Sequence, residues 1–201
     1  MSISRTHVLV AAAATVLLAA GCSDDSTTTH TTEHSTTAAI ATSAAASTDF
    51  NDADVSFLQM MYPHHAQAVE MAKMVPSHTQ NQQLIALAAQ VEKAQAPELQ
   101  QITDLLAGFG KPAPSASEGH GGHDMPGMMT DAQMSSLQAA NGADFDRQWL
   151  EMMIAHHEGA VEMAQTELNA GVNPQSRQLA TAIVADQEAE IATMRGMLEQ
   201  N

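Results

Sequence analysis

Two stretches of the chain set paired methionines ahead of paired histidines at helical spacing. The first is Met60-Met61-Tyr62-Pro63-His64-His65 with Met71 beyond it, and the second is Met152-Met153-Ile154-Ala155-His156-His157 with Met163 beyond it. On a helix advancing about 100° per residue, Met60, His64 and Met71 fall within about 40° of one another, and Met61 and His65 form the adjoining stripe. Ala68, Ala72 and Val75 share that face, so the thioethers and imidazoles are expected to turn towards a core. Methionine at this spacing is by itself ordinary packing, and a chain with only 3% aromatic residues needs a bulky filler. The histidines weigh differently. A buried imidazole costs free energy unless it is hydrogen-bonded or ligated, and here four occupy equivalent places. The ten residues are therefore candidate metal ligands. Thioethers bind Mg²⁺ and Ca²⁺ poorly and Cu(I) well, while imidazole suits Cu(I), Cu(II) and Zn²⁺. Copper is the expected metal, Cu(I) favoured and Cu(II) accommodated, with silver as a chemical mimic.

Two further groups surround these pairs. The segment His120-Gly121-Gly122-His123-Asp124-Met125-Pro126-Gly127-Met128-Met129 places two His and three Met within ten residues. Methionine gains nothing from packing in a solvent-exposed loop, so His120, His123, Met125, Met128 and Met129 are read as an auxiliary, flexible capture segment. Elsewhere, Gln95 and Glu98 fall in an apolar stripe with Val91, Leu99 and Ile102, and Gln187 and Glu190 fall likewise among Ile183, Ile191 and Met194. A carboxylate on a core face needs a cation or a donor. Each Glu either contributes to a metal from behind its ligands or simply hydrogen-bonds a core histidine and fixes its tautomer, and the two roles are compatible.

The elements that must position these residues are given by an internal duplication. At an offset of 92, residues 54–106 align without a gap on residues 146–198. Each copy reads as two helices of roughly 23 to 30 residues, about 35 to 45 Å long at 1.5 Å per residue. In the second copy Asp144 or Asp146 can cap a helix running to about Asn169, and Gly171 supplies a stop. Asn173 followed by Pro174 then caps the next helix. The first copy breaks near Pro76 and Ser77. Pro63 and Pro97 stand where the second copy has Ala155 and Ala189; each would free a backbone carbonyl and bend its helix, though drift in one copy is the simpler account. The Gly- and Pro-rich residues 109–129 form a loop, and Thr130 with Gln133 has the spacing of a capping box for a short helix over 130–140. The fold class expected is all-α: a four-helix bundle made of two duplicated helical hairpins.

The N-terminus is of another kind. Arg5 precedes an apolar stretch from Val8 to Ala20, too short to span a bilayer stably, so residues 1–21 read as a cleaved export signal. The run Ala19-Ala20-Gly21-Cys22 resembles the lipobox of bacterial lipoproteins, which implies that Cys22 carries lipid. It is the single cysteine, so any metal site must use His, Met, Asp or Glu. Residues 22–51, rich in Ser, Thr and Ala, bury too little to fold and are expected to form a disordered tether, leaving 52–201 as the duplicated domain. The net charge is -16. Loss of Arg5 with the signal would make it about -17, a charge that repels nucleic acid and anionic lipid headgroups and favours cations.

The pattern Met-Met-x-x-His-His-x-x-Ala-Val-x-Met-Ala, followed by Gln-x-x-Glu, resembles the bacterial domain of unknown function family 305. Its two-copy form also carries an Asp-Met-x-Gly-Met-Met segment before the second copy, as Asp124 to Met129 does here. The resemblance covers roughly residues 52–199. It implies a ferritin-like four-helix bundle and an association with extracytoplasmic copper binding and tolerance. By motif position it also implies the ten Met and His residues above as ligands. The function expected is thus a copper-binding lipoprotein on the extracytoplasmic face of the cell membrane that buffers, stores or hands on the ion, without turnover, to a copper-handling protein partner. A ferritin-like oxidase is the competing reading, but a di-iron carboxylate site needs a Glu-x-x-His pair and the chain contains none. An interaction module with a Met-rich core and no metal is the third.

Overall fold

Helix caps written into the sequence set the lengths of the rods. The structure is a computed structural model that describes residues 47–112, 114 and 125–200. The readings made for the export signal, for Cys22, for most of the tether, and for His120 and His123 lie outside the described residues. Helix α1 (Asp52–His78) is capped by Asn51, whose side chain accepts from the Ala53 and Asp54 N–H groups while Asp54 accepts back from the Asn51 N–H. Helix α2 (Gln82–Gly108) is capped by Asn81 in the same one-way fashion as α5 (Pro174–Leu198) is by Asn173, with Pro174 in its first turn. The short α3 (Asp131–Ala139) opens on the expected reciprocal box between Thr130 and Gln133. Helix α4 (Gly142–Ala170) completes the set. Neither Pro63 nor Pro97 interrupts its helix.

Helix α1 packs along α2 and α4 along α5, giving two hairpins, and the hairpins join mainly through α1 against α4. The result is the all-α four-helix bundle of two duplicated hairpins, with α3 lying on α4. No described helix is long and apolar enough to cross a membrane. Two apolar clusters fill the interior. One gathers Met71, Val75, Leu84, Val91, Phe145, Trp149, Met153 and Met194, and the other gathers Phe57, Leu58, Met61, Ile102, Met163 and Ile183. Trp149 ties α4 to α1 by donating its indole N–H to the Met71 carbonyl at 2.9 Å.

Two expectations are corrected. Helix α4 begins at Gly142, and Asp146 does not cap it. Asp146 is buried and accepts instead from the Asn81 amide of the other hairpin's turn at 2.9 Å. Its repeat counterpart Asp54 does the same in the opposite direction, accepting from the Asn173 N–H at 2.9 Å and the Val172 N–H at 3.2 Å. Each aspartate at the head of one hairpin thus grips the turn of the other. The second correction concerns the end of the tether, because residues 47–51 are bound to the bundle. The Asn173 side chain donates to the carbonyls of Ser47 and Asp49, and Phe50 stacks on Phe109 at 4.3 Å.

Candidate metal centre

The duplicated Met-Met-x-x-His-His motif lies on α1 and α4, the two helices that form the seam between hairpins, so the fold brings both copies together. His64 and His156 meet face to face across the seam with ring centroids 3.7 Å apart and planes tilted by 36°. His65 and His157 flank them, the latter 6.3 Å from His156. All four imidazoles are fully buried.

Helices α2 and α5 bring the carboxylates. The His65 Nε2 is hydrogen-bonded to Glu98 at 2.8 Å and the His157 Nε2 to Glu190 at 2.6 Å, while both glutamates keep an edge in solvent. The geometry matches the expectation that each Glu holds a core histidine in one tautomer. A carboxylate in this place makes Nε2 the protonated nitrogen and leaves the lone pair on Nδ1. The neighbouring Gln95 and Gln187 are buried, with both polar side-chain atoms of Gln95 and the carbonyl oxygen of Gln187 lacking a hydrogen-bond partner.

Burial decides the charge of the central pair. It pushes the His64 imidazole down to about 3, helped by the adjacent His65 and His157 and opposed by the Pro126 carbonyl. His156 is held well below its ordinary value by burial first, then by His64, His157 and His65, with a weak contact to the His64 backbone opposing. Both rings are therefore neutral at physiological pH, the form that ligates metals. The Nδ1 atoms of His64, His65 and His157 have no hydrogen-bond partner, and neither ring nitrogen of His156 has one. An unpaired buried polar atom of this kind costs about 1–3 kcal/mol, so these unsatisfied imidazole nitrogens call for a partner.

The methionines divide. Met61, Met71 and Met153 are fully buried, and Met152 and Met163 nearly so. Met60 is the exception at 36% exposure, against 7% for its counterpart Met152. Met152 shares its cluster with Met134 and Leu137 of α3, which covers α4 and breaks the symmetry of the repeats. The expectation of an exposed Met-rich loop is corrected at its C-terminal end. Met129 is buried in the core, and Met125 and Met128 are half-buried.

Sequence reading missed what seats this end of the loop. Gln67 on α1 makes two hydrogen bonds with the Met129 backbone, and the Pro126 carbonyl lies 3.1 Å from His64 Nε2. Gly127 rests against α4 at Gly159. The available sign was a mismatch within a well-matched stretch of the repeats, Gln67 against Gly159, the latter a glycine inside a helix. Among the described residues no three His, Cys, Asp or Glu side chains are grouped as for a metal held by nitrogen and oxygen alone. The motif side chains on α1 and α4 able to ligate are imidazoles and thioethers, donor types that suit a soft ion.

Fold and site together define a duplicated all-α bundle with paired histidines and methionines at the seam between its halves. The chain belongs to the family described as Domain of unknown function (DUF305), whose model matches residues 54–198. A DUF305 protein from Streptomyces coelicolor is 32% identical with a TM-score of 0.67, covering 74% of this chain and 93% of that one. A DUF305 fragment from Deinococcus radiodurans is also 32% identical at TM-score 0.67, over 75% and 98% of the two chains. CopM in its Cu(II)-bound form is 31% identical at TM-score 0.65, over 73% and 96%, and CopM has also been solved with Cu(I) and with silver. Uncharacterized protein L153 of Acanthamoeba polyphaga mimivirus is 38% identical over 55 residues, so the chain spans 36% of that relative.

Proposed function

We propose that this chain binds copper at the α1/α4 seam through the imidazoles of His64, His65, His156 and His157 and the thioethers around them, and that it buffers, stores or hands on the ion without chemical turnover. The observation that carries the reading is His156, a neutral and fully buried ring with no well-formed hydrogen bond at either nitrogen, packed against the tilted ring of His64 at 3.7 Å. Support comes from CopM, bound to Cu(I), Cu(II) and silver at about 30% identity. Copper is cargo in this reading, Cu(I) suiting the thioethers and Cu(II) the imidazoles.

The same proposal places the protein on the extracytoplasmic face of the cell membrane, held by lipid on Cys22 after cleavage of residues 1–21, with a copper-handling protein as partner. The acyl chain would supply the anchor that no described helix provides.

Titration of residues 23–201 with Cu(I) against a competing chelator tests the reading. Tight binding that disappears when His64 and His156 are both replaced supports it. Equal affinity in wild type and double variant for every metal tried would sink it, and oxygen consumption with Fe(II) would point to the oxidase instead. Removing the anchoring carboxylates separately, as Glu98→Ala and Glu190→Ala, is expected to weaken Cu(I) binding about 10- to 100-fold, the usual effect of losing a partner behind a ligating histidine. Circular dichroism should show the helices intact, because both side chains reach solvent.

A further inference from the structure

We propose that residues 125–129 form a strap that presets His64 for ligation through Nδ1, and that Gln67, Gly127 and Gly159 are positioning residues for that strap. This deepens the copper reading and rests on it. The starting point is the equivalence of three rings. Nε2 of His65 and of His157 is held by a carboxylate, and Nε2 of His64 by the Pro126 carbonyl at 3.1 Å. A carbonyl oxygen only accepts, so the His64 Nε2 donates and its lone pair resides on Nδ1. The strap therefore does for His64 what a glutamate does for each outer histidine. Metal-bound imidazoles commonly have their second nitrogen tied in this way.

The strap is built to sit close. Gly127 has φ 77°, a region in which side chains are strained, and a Cβ there would fall 2.5 Å from the Ala155 carbonyl oxygen and 2.9 Å from that of His156. A Cβ on Gly159 would collide with the Pro126 carbonyl group itself. At the other end the Met129 N–H donates to the Gln67 side-chain oxygen at 2.8 Å, and the Gln67 amide donates to the Met129 carbonyl at 2.9 Å. Met129 buries its side chain in the core. Positions 67 and 159 are equivalent under the offset of 92, yet one holds a long amide and the other no side chain. Those are the two solutions a single strap crossing two equivalent helices requires: an anchor on one and clearance on the other. His156, the repeat counterpart of His64, has no hydrogen-bond partner at either nitrogen.

The test uses the full chain with ¹⁵N-labelled histidine, free of metal, and reads the tautomer of His64 from its ring-nitrogen shifts. Wild type is expected to show the Nε2–H form. Gly159→Ala should displace the strap and give a mixed tautomer, and Gln67→Ala should do the same by releasing the opposite end without adding bulk to α4. Silver(I) affinity should fall about tenfold in both variants. If Gly159→Ala fails to fold, Gln67→Ala carries the comparison. An unchanged His64 tautomer in the folded variants, or a changed tautomer with unchanged silver affinity, overturns the positioning role. Wild type that binds neither silver nor Cu(I) defeats the copper reading instead, and with it the ligation role, while the tautomer still reports whether the strap holds His64.

Discussion

Replacing His156 with leucine is expected to raise the stability of the metal-free protein while removing most of its copper affinity. The ring occupies a fully buried place, is neutral, and leaves both nitrogens without partners. Orphaned buried polar groups of this kind cost about 1–3 kcal/mol, and an apolar side chain of similar size relieves that cost without opening a cavity. A gain of that order would raise the melting temperature by about 2–4 °C per kcal/mol in a domain of this size. Copper should reverse the ranking, since a bound ion stabilises only the protein that holds it. Thermal melts of both proteins with and without Cu(I) decide the matter. If the leucine variant melts lower than wild type without metal, the imidazole is satisfied in the apo protein and the argument for a ligand at His156 fails.

The second large effect belongs to the buried carboxyl pair that joins the hairpins. Asp54 is fully buried and accepts from the N–H groups of Asn51, Val172 and Asn173. Burial raises its carboxyl, but these backbone hydrogen bonds, helped by the neighbouring Glu167, outweigh it and leave Asp54 below its ordinary value. Glu167, buried against it, is pushed up to about 8 by burial first and then by Asp54, with Arg177 opposing. Asp54→Ala should therefore cost about 3 kcal/mol or more, because several backbone donors lose their acceptor together. The pH dependence has a definite sign. Between about 4.5 and about 8 the folded protein keeps the Glu167 proton while the unfolded chain has lost it, so stability falls as pH rises through this window. Asp54 acts oppositely and only at lower pH, where its stabilisation is lost on protonation. Glu167→Gln keeps a donor facing Asp54 and should abolish the decline, so that the variant outlasts wild type at pH 8 and matches it near pH 4.5 in denaturant melts.

What sequence alone made legible follows the range of each interaction. The caps at Thr130 and Asn173 depend on residues two or three apart and could be read directly. Helical period and the duplication pointed to Glu98 and Glu190 as partners of core histidines, but not to which histidine each would take, His65 and His157. Asp146 was misread as a cap because its partner, Asn81, is 65 residues away. The same limit hid the Asp54–Glu167 pair and the docking of residues 125–129, which depend on how one hairpin meets the other. Met60 shows the limit of periodicity: it lies on the same helix face as His64, yet burial also requires a neighbour to cover it.

The inequality of Gln67 and Gly159 has a consequence for what gene fusion makes possible. Two separate copies of one hairpin, associating about a two-fold axis, would have to carry the same residue at both positions and so could not offer an anchor and a clearance at once. Joined in one chain, the copies are free to differ, and the linker that joins them becomes the part that distinguishes one half from the other. The seam thereby acquires a polarity: an ion ligated by both His64 and His156 would meet one ring nitrogen whose lone pair is fixed in advance and another whose tautomer is set on contact.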